Sequence, residues 1–228
     1  MSLSENIAAV KANIAAAERA AGRAPGSVTL CAATKTQSSD TIRAAIAAGI
    51  TVCGENRVQE LTAHLDDFAY DGAAVHFIGH LQTNKVKFVV GRVELIESVS
   101  SQKLLEAIEA QAAKLNLIQD ILLEVNIAGE ESKSGFAPAE VPDAARRAAA
   151  LPHIRLRGLM AIPPVSAAPG GNRPWFRQMQ KLYVDIRAGL EDNRIDILSM
   201  GMSADYPDAV AEGATLVRVG TALFGPRQ

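Results

Sequence analysis

The chain has 228 residues, 48% hydrophobic and 21% charged, with 23 Lys+Arg against 25 Asp+Glu and a formal charge of −2. The length fits one α/β domain, the hydrophobic share excludes disorder throughout, and the near-neutral balance leaves no basic stripe for nucleic acid. Two cysteines, Cys31 and Cys53, exclude a disulfide scaffold and a four-cysteine zinc site, and neither a signal peptide nor a long apolar span is present. A soluble cytoplasmic protein of one domain is expected, with no membrane or nucleic-acid partner. Ser4–Ala21 places Ile7, Val10, Ile14 and Ala17 at helical spacing, with Ser4 as N-cap and Gly22 as stop. Val28–Lys35 is an apolar run of strand length. Then follow helix Thr41–Ala48, strand Ile50–Asn56, helix Val58–Phe68, strand Val75–His80, helix Asn84–Val90 and strand Leu95–Ser100. Helix Gln102–Leu115, strand Asp120–Ala128, helix Pro138–Ala150 and strand Ile154–Pro163 continue the pattern. Helix Trp175–Leu190, strand Asp196–Gly201, the short helix Pro207–Glu212 and strand Leu216–Gly225 complete it.

Strands that alternate with helices pair in parallel. Eight such units predict an α/β fold, a single (β/α)₈ TIM barrel over residues 1–228 with an extra N-terminal helix. An open doubly wound sheet is the alternative, but neither glycine-rich nucleotide fingerprint occurs. The Pro/Gly-rich stretch Pro163–Pro174 reads as a loop after strand six.

A barrel carries its chemistry at the C-terminal ends of its strands. Lys35 ends strand one, in phase with Cys31 and Ala33. A lysine partly desolvated there has a lowered pKa and a nucleophilic amine suited to a Schiff base; a solvated loop lysine is the other reading. The last two strand ends read GMSAD and RVGTALFG, where Ser203, Gly220 and Thr221 offer hydroxyls and backbone N–H groups to a phosphate. Equally, these residues serve as turns and caps. Together, lysine and cradle point to a phosphorylated aldehyde. Arg218 precedes Gly220 by two on the same face. Against a pyridine nitrogen it would keep that nitrogen unprotonated; an ordinary ion pair is the alternative. His76 and His80 stand about 13 Å apart along a strand, too far to share a metal, so no metal site is expected. Cys31, Cys53, Met160, Met202 and Trp175 read most simply as packing residues, and Lys133 lies in a loop at the mouth end.

Seven colinear blocks sharpen this: AATKT (Ala32–Thr36), GENRVQE (Gly54–Glu60), HFIGHLQTNK (His76–Lys85), EVNIAGEESKSGF (Glu124–Phe136), LRGLMAIP (Leu156–Pro163), LSMGMSADYPDAVAEG (Leu198–Gly213) and VRVGTALFG (Val217–Gly225). They resemble the YggS/PROSC type of pyridoxal phosphate homeostasis protein, built on the barrel of the alanine racemase N-terminal domain, fold type III among pyridoxal phosphate proteins. The resemblance implies pyridoxal 5′-phosphate as cofactor, held as a Schiff base on Lys35, with Arg218 facing the pyridine nitrogen. It implies Ser203, Gly220 and Thr221 as phosphate binders, Asn56 and Met160 as pocket lining, and Lys133 as the lysine that passes the cofactor on. His80 departs from the proline that many relatives carry there.

The resemblance also implies no turnover, so no catalytic residue is assigned. Its role would be binding, storing or transferring the cofactor within vitamin B6 balance, with apo-enzymes as acceptors. No second, all-β racemase domain is expected after Leu223, and a monomer is expected. A weak amino-acid racemase remains the competing reading, with Tyr206 or His80 as its second base; a Schiff-base aldolase without cofactor is a third.

Overall fold

The structure is a computed structural model that describes residues 2–166, 168–190 and 195–225. Eight parallel strands close into one barrel in sequence order: β1 (Thr29–Ala33), β2 (Val52–Glu55), β3 (Ala74–Phe77), β4 (Leu95–Val99), β5 (Gln119–Val125), β6 (Ile154–Ala161), β7 (Ile197–Ser199) and β8 (Leu216–Val219). The seam pairs β8 with β1, Cys31 opposite Arg218. The helices are α1 (Leu3–Ala20), α2 (Ser39–Ala47), α3 (Val58–Asp66), α4 (Gln102–Leu115), α5 (Val141–Ala149), α6 (Arg173–Gly189), α7 (Tyr206–Ala211) and α8 (Thr221–Phe224). The helix expected between β3 and β4 is a 3₁₀ helix, Thr83–Phe88.

Period-two alternation divides each strand between two cores. Ala32, Cys53, Phe77, Ile96, Leu123 and Val217 face outward into the layer shared with the helices. Cys31, Ala33, Val52, Ile78 and Leu216 fill the barrel interior on one side, and Leu95, Leu122 and Met160 fill it on another. Both cysteines are buried, and burial, first among the causes, pushes the Cys53 thiol up to about 12 and that of Cys31 well up too.

The expected barrel with its extra helix is the fold observed. Three local expectations change. Ser2, not Ser4, caps α1: its side chain accepts from the Glu5 N–H and Glu5 answers in a capping box. Helix α5 starts at Val141 with Pro142 in its first turn, so Pro138 belongs to the preceding loop. The run Leu216–Gly225 is a strand only to Val219. At Gly220 the chain turns and Thr221–Phe224 coils into α8. That turn aims backbone N–H groups at the mouth. Within the Pro163–Pro174 loop, Ala167 lies outside the described residues.

Candidate functional site

Lys35 continues the inward phase of Cys31 and Ala33 beyond the end of β1 and is half-buried. The turn around it is fixed from both sides. Thr34, fully buried, donates its hydroxyl to the Gly54 carbonyl at 3.2 Å. Thr36 sits at φ 64°, left-handed backbone that a β-branched residue adopts at a cost of about 1–2 kcal/mol. Its N–H is held by Glu60 Oε2 at 2.9 Å. The lysine therefore leaves a braced strand end.

Across the seam, Lys35, Thr36 and Gln37 face Gly220, Thr221 and Phe224 along one narrow cleft. Ser203 enters from the loop after β7, and its Oγ accepts from the N–H of Gly220 and of Ala222, both at 3.2 Å. Two amides thus converge on one oxygen, which is the geometry an anionic oxygen needs. A Cβ on Gly220 would lie 3.4 Å from Ala33, so the strands approach closely there.

Arg218 lies below, 4% exposed inside the barrel. It donates from one Nη to Ser199 Oγ and from the other to the Ala161 carbonyl at 2.9 Å. Ser199 donates to Glu97 Oε2 at 2.6 Å, and Glu97 Oε1 meets His76 Nδ1 at 2.8 Å. The ion pair Arg218–Glu97 spans 3.7 Å, mostly through Ser199. Burial pushes the Glu97 carboxyl up, but the hydrogen bond and attraction from His76, the Arg218 charge and the Ser199 hydroxyl outweigh it and hold it low.

Asn56 follows β2 at the same mouth, and its Oδ1 is buried with no hydrogen-bond partner among the described residues. Gly79 is what lets its backbone sit there: a Cβ on Gly79 would fall 2.0 Å from the Asn56 carbonyl oxygen. Met160, fully buried, walls the interior opposite Glu124 on β5. Glu124 Oε1 accepts from Ser134 Oγ at 3.1 Å, while Oε2 is buried with no hydrogen-bond partner among the described residues. Burial, only partly offset by Ser134 and the His80 and Arg218 charges, pushes this carboxyl up.

Three candidates, Lys133, His80 and Tyr206, do not line the cleft of Lys35 and Gly220. Lys133 is half-buried in the loop that folds back over β5, paired with Glu130 at 2.6 Å and reaching the Ile162 carbonyl at 3.4 Å. His80 is exposed. Tyr206 is turned away: it is buried, and its hydroxyl accepts from Asn13 Nδ2 of α1 at 3.1 Å, so the mouth-side base expected of it is not there. Sequence reasoning passed over Glu97, Ser199 and Glu124, and weighed His76 only as a metal ligand. The available signal was an acid embedded in an apolar parallel strand, LIESV and ILLEV, where a charge needs a partner.

The model of the alanine racemase N-terminal domain matches residues 6–228. A pyridoxal phosphate homeostasis protein from Aquifex aeolicus (strain VF5) is 40% identical over 100% of both chains. One from Pseudomonas aeruginosa is 41% identical over 99% of this chain and 96% of its own. Among solved structures, PipY of Synechococcus elongatus PCC7942 with PLP bound aligns with a TM-score of 0.85 at 32% identity, covering 98% of this chain and 100% of that one. Alanine racemase from Streptomyces coelicolor A3(2) shares the fold alone, with a TM-score of 0.72 at 21% identity over 96% of this chain and 58% of its own. With the domain model spanning residues 6–228 and the two homeostasis proteins matched over 96% or more of both lengths, this chain belongs to the pyridoxal phosphate homeostasis protein family and carries the alanine racemase N-terminal domain.

Proposed function

We propose that this chain binds pyridoxal 5′-phosphate in the C-terminal mouth and acts as a cytoplasmic, monomeric holder of that cofactor, storing it or handing it to apo-enzymes without turnover of its own. The observation that carries the reading is the single cleft shared by Lys35 and the Gly220–Thr221 turn. An aldehyde carbon and a phosphate carried on one small ring would meet an amine and an amide cradle across the β8–β1 seam. The chain's residues fit such a group. Asn56 Oδ1 is an acceptor lacking a donor, the Gly220 and Ala222 amides converge on one oxygen, and Arg218 is a fixed donor that does not release its proton. The bound cofactor supplies an electrophilic aldehyde and an electron-withdrawing ring.

Lys35 would provide the amine for a Schiff base, Ser203 and Thr221 would add hydroxyls to the phosphate, and Arg218 would face the ring nitrogen with a donor that does not release its proton. Met160 walls the pocket, and Lys133, tethered at the rim, is where the cofactor would leave. No side chain of the cluster is assigned a catalytic or metal-binding role. The names of the relatives and the PLP bound to PipY support this reading. Borohydride reduction of protein loaded with pyridoxal 5′-phosphate, followed by peptide mass mapping, tests it: the adduct is expected on Lys35, and an unmodified Lys35 sinks the reading. For the competing racemase reading His80 is left as the second base, and deuterium exchange at Cα of amino acids no faster than with free cofactor removes it.

A further inference from the structure

The interior of the barrel holds a continuous line of side chains that leads to Arg218, and the proposed function uses none of it but the arginine. It starts at His76, which lines a cavity at the N-terminal mouth together with Glu94, Arg157 and Asp196. It passes through Glu97 and Ser199 and ends at Arg218, with contacts of 2.8 Å and 2.6 Å and the closest of all at the Ser199–Arg218 link. Glu97 and Ser199 are fully buried and His76 nearly so. Four strands contribute: β3, β4, β7 and β8. Ser199 and Glu97 are fully engaged along the line. The Ser199 hydroxyl accepts from Arg218 and donates to Glu97, and the two Glu97 oxygens are divided between Ser199 and His76.

The Cys31 thiol completes a group in which one ligand atom each of Cys31, His76 and Glu97 lies within 4.8 Å of the others. That spacing would admit a metal. The hydrogen bonds already made by His76 Nδ1 and both Glu97 oxygens, and the guanidinium 3.7 Å from Glu97, favour the arginine as the cation this carboxylate serves.

A buried guanidinium has many rotamers and a high cost if left unpaired. Here two of its N–H groups are committed, one to Ser199 and one to the Ala161 carbonyl, and the carboxylate behind Ser199 compensates its charge. The guanidinium is thereby held in one place, with little ordering left to be done when a ligand arrives. We propose that His76, Glu97 and Ser199 are positioning residues that act through Arg218, setting how tightly and in which electronic state the pocket holds its ligand. The inference rests on the reading of Arg218 given above.

A double-mutant cycle tests it, with pyridoxal 5′-phosphate as the titrant and the dissociation constant and visible absorption band as readouts. Ser199→Ala and Glu97→Gln are each expected to weaken binding by about tenfold or more, the usual scale for a hydrogen bond to a charged group. They should also move the band toward that of Arg218→Ala. His76→Gln should act in the same direction. In an Arg218→Ala background none of the three should have a further effect. Ser199→Thr, which keeps the hydroxyl, should restore the wild-type band.

A second measurement needs no ligand. In the apo-protein the Arg218 side-chain N–H resonances should exchange slowly with solvent, and Ser199→Ala should speed that exchange. Equal losses in both backgrounds, or wild-type affinity and band in Ser199→Ala and Glu97→Gln, overturn the proposal. If Arg218→Ala itself binds like wild type, the role given to Arg218 fails along with the chain behind it, whereas failure of the chain alone leaves the Arg218→Ala loss in place.

Discussion

Two buried carboxyls inside one barrel are driven in opposite directions. Glu97 is surrounded by donors and held low; Glu124, with one oxygen unpartnered, is pushed up chiefly by burial. Their contributions to stability therefore depend on pH with opposite signs. The folded pKa of Glu124 lies above its unfolded value. Its stabilisation is present below the unfolded value and is lost as pH rises through the folded one. Glutamine keeps an acceptor for Ser134 and carries no charge. Wild type should therefore lose ground to Glu124→Gln between acid and neutral pH; urea midpoints measured across that range check it, and parallel curves refute it. The folded pKa of Glu97 lies below its unfolded value, so its stabilisation is present above the unfolded value and lost as pH falls through the folded one. Glu97→Gln should be the weaker protein at neutral pH and approach wild type only in acid. At Gly79 the limit is steric. A methyl group there would sit 2.0 Å from the Asn56 carbonyl oxygen, a backbone atom, so the strand ends must part. Gly79→Ala should cost about 1–3 kcal/mol and weaken binding of pyridoxal 5′-phosphate, read from chemical denaturation and titration.

The extra helix acts as a brace for the site. α1 packs on α7 and α8. Its Asn6 Nδ2 donates to the Leu223 carbonyl of α8 at 2.9 Å, and Asn13 Nδ2 donates to the Tyr206 hydroxyl at the start of α7. α8 is a single turn of four residues and cannot hold its own geometry without such support. Asn6→Ala should cost about 1 kcal/mol of stability and weaken pyridoxal 5′-phosphate more than pyridoxal, because in the proposed pose the Gly220–Ala222 turn and Ser203 face the phosphate that pyridoxal lacks. Equal losses for the two ligands would place the brace elsewhere. This coupling was not readable in the sequence, although α1 itself was. Ile7, Val10 and Ile14 advertise a buried face but not what it meets. The strand ends were legible for a plain reason: a period of two and a run of apolar residues fix which residues point inward, and this puts Lys35 and Arg218 in the inward phase. α8 was missed because TALF is as apolar as a strand, and only the turn at Gly220 ends β8. The arginine's partners were missed because each comes from a different strand, and a single strand shows that an acid is out of place without showing what pairs with it.

At the scale of the whole molecule, the site lies on the closure of the barrel. β1 and β8 are the first and last strands, and their pairing completes the ring. Lys35 leaves the end of β1, while Gly220 and Thr221 leave the end of β8. A ligand held by the amine on one side and by the cradle on the other would join the two ends of the sequence where they meet. Closing so long a loop costs conformational entropy, and the contacts across the seam must offset it. A ligand that binds only the closed state adds its binding free energy to that offset. At a free concentration about 100 times the dissociation constant the gain is about 2.7 kcal/mol. For a chain of this size each kcal/mol moves Tm by about 2–4 °C, so saturation with pyridoxal 5′-phosphate should raise Tm by about 5–10 °C. Lys35→Ala, compared with its own apo-protein, should lose most of that rise. The gain should also be local. Amide exchange in β1 and β8 should slow on loading more than in β4 and β5, whose pairing lies away from the seam. A uniform slowing across all eight strands would mean that the ligand stabilises the barrel as one unit and does not act through its closure.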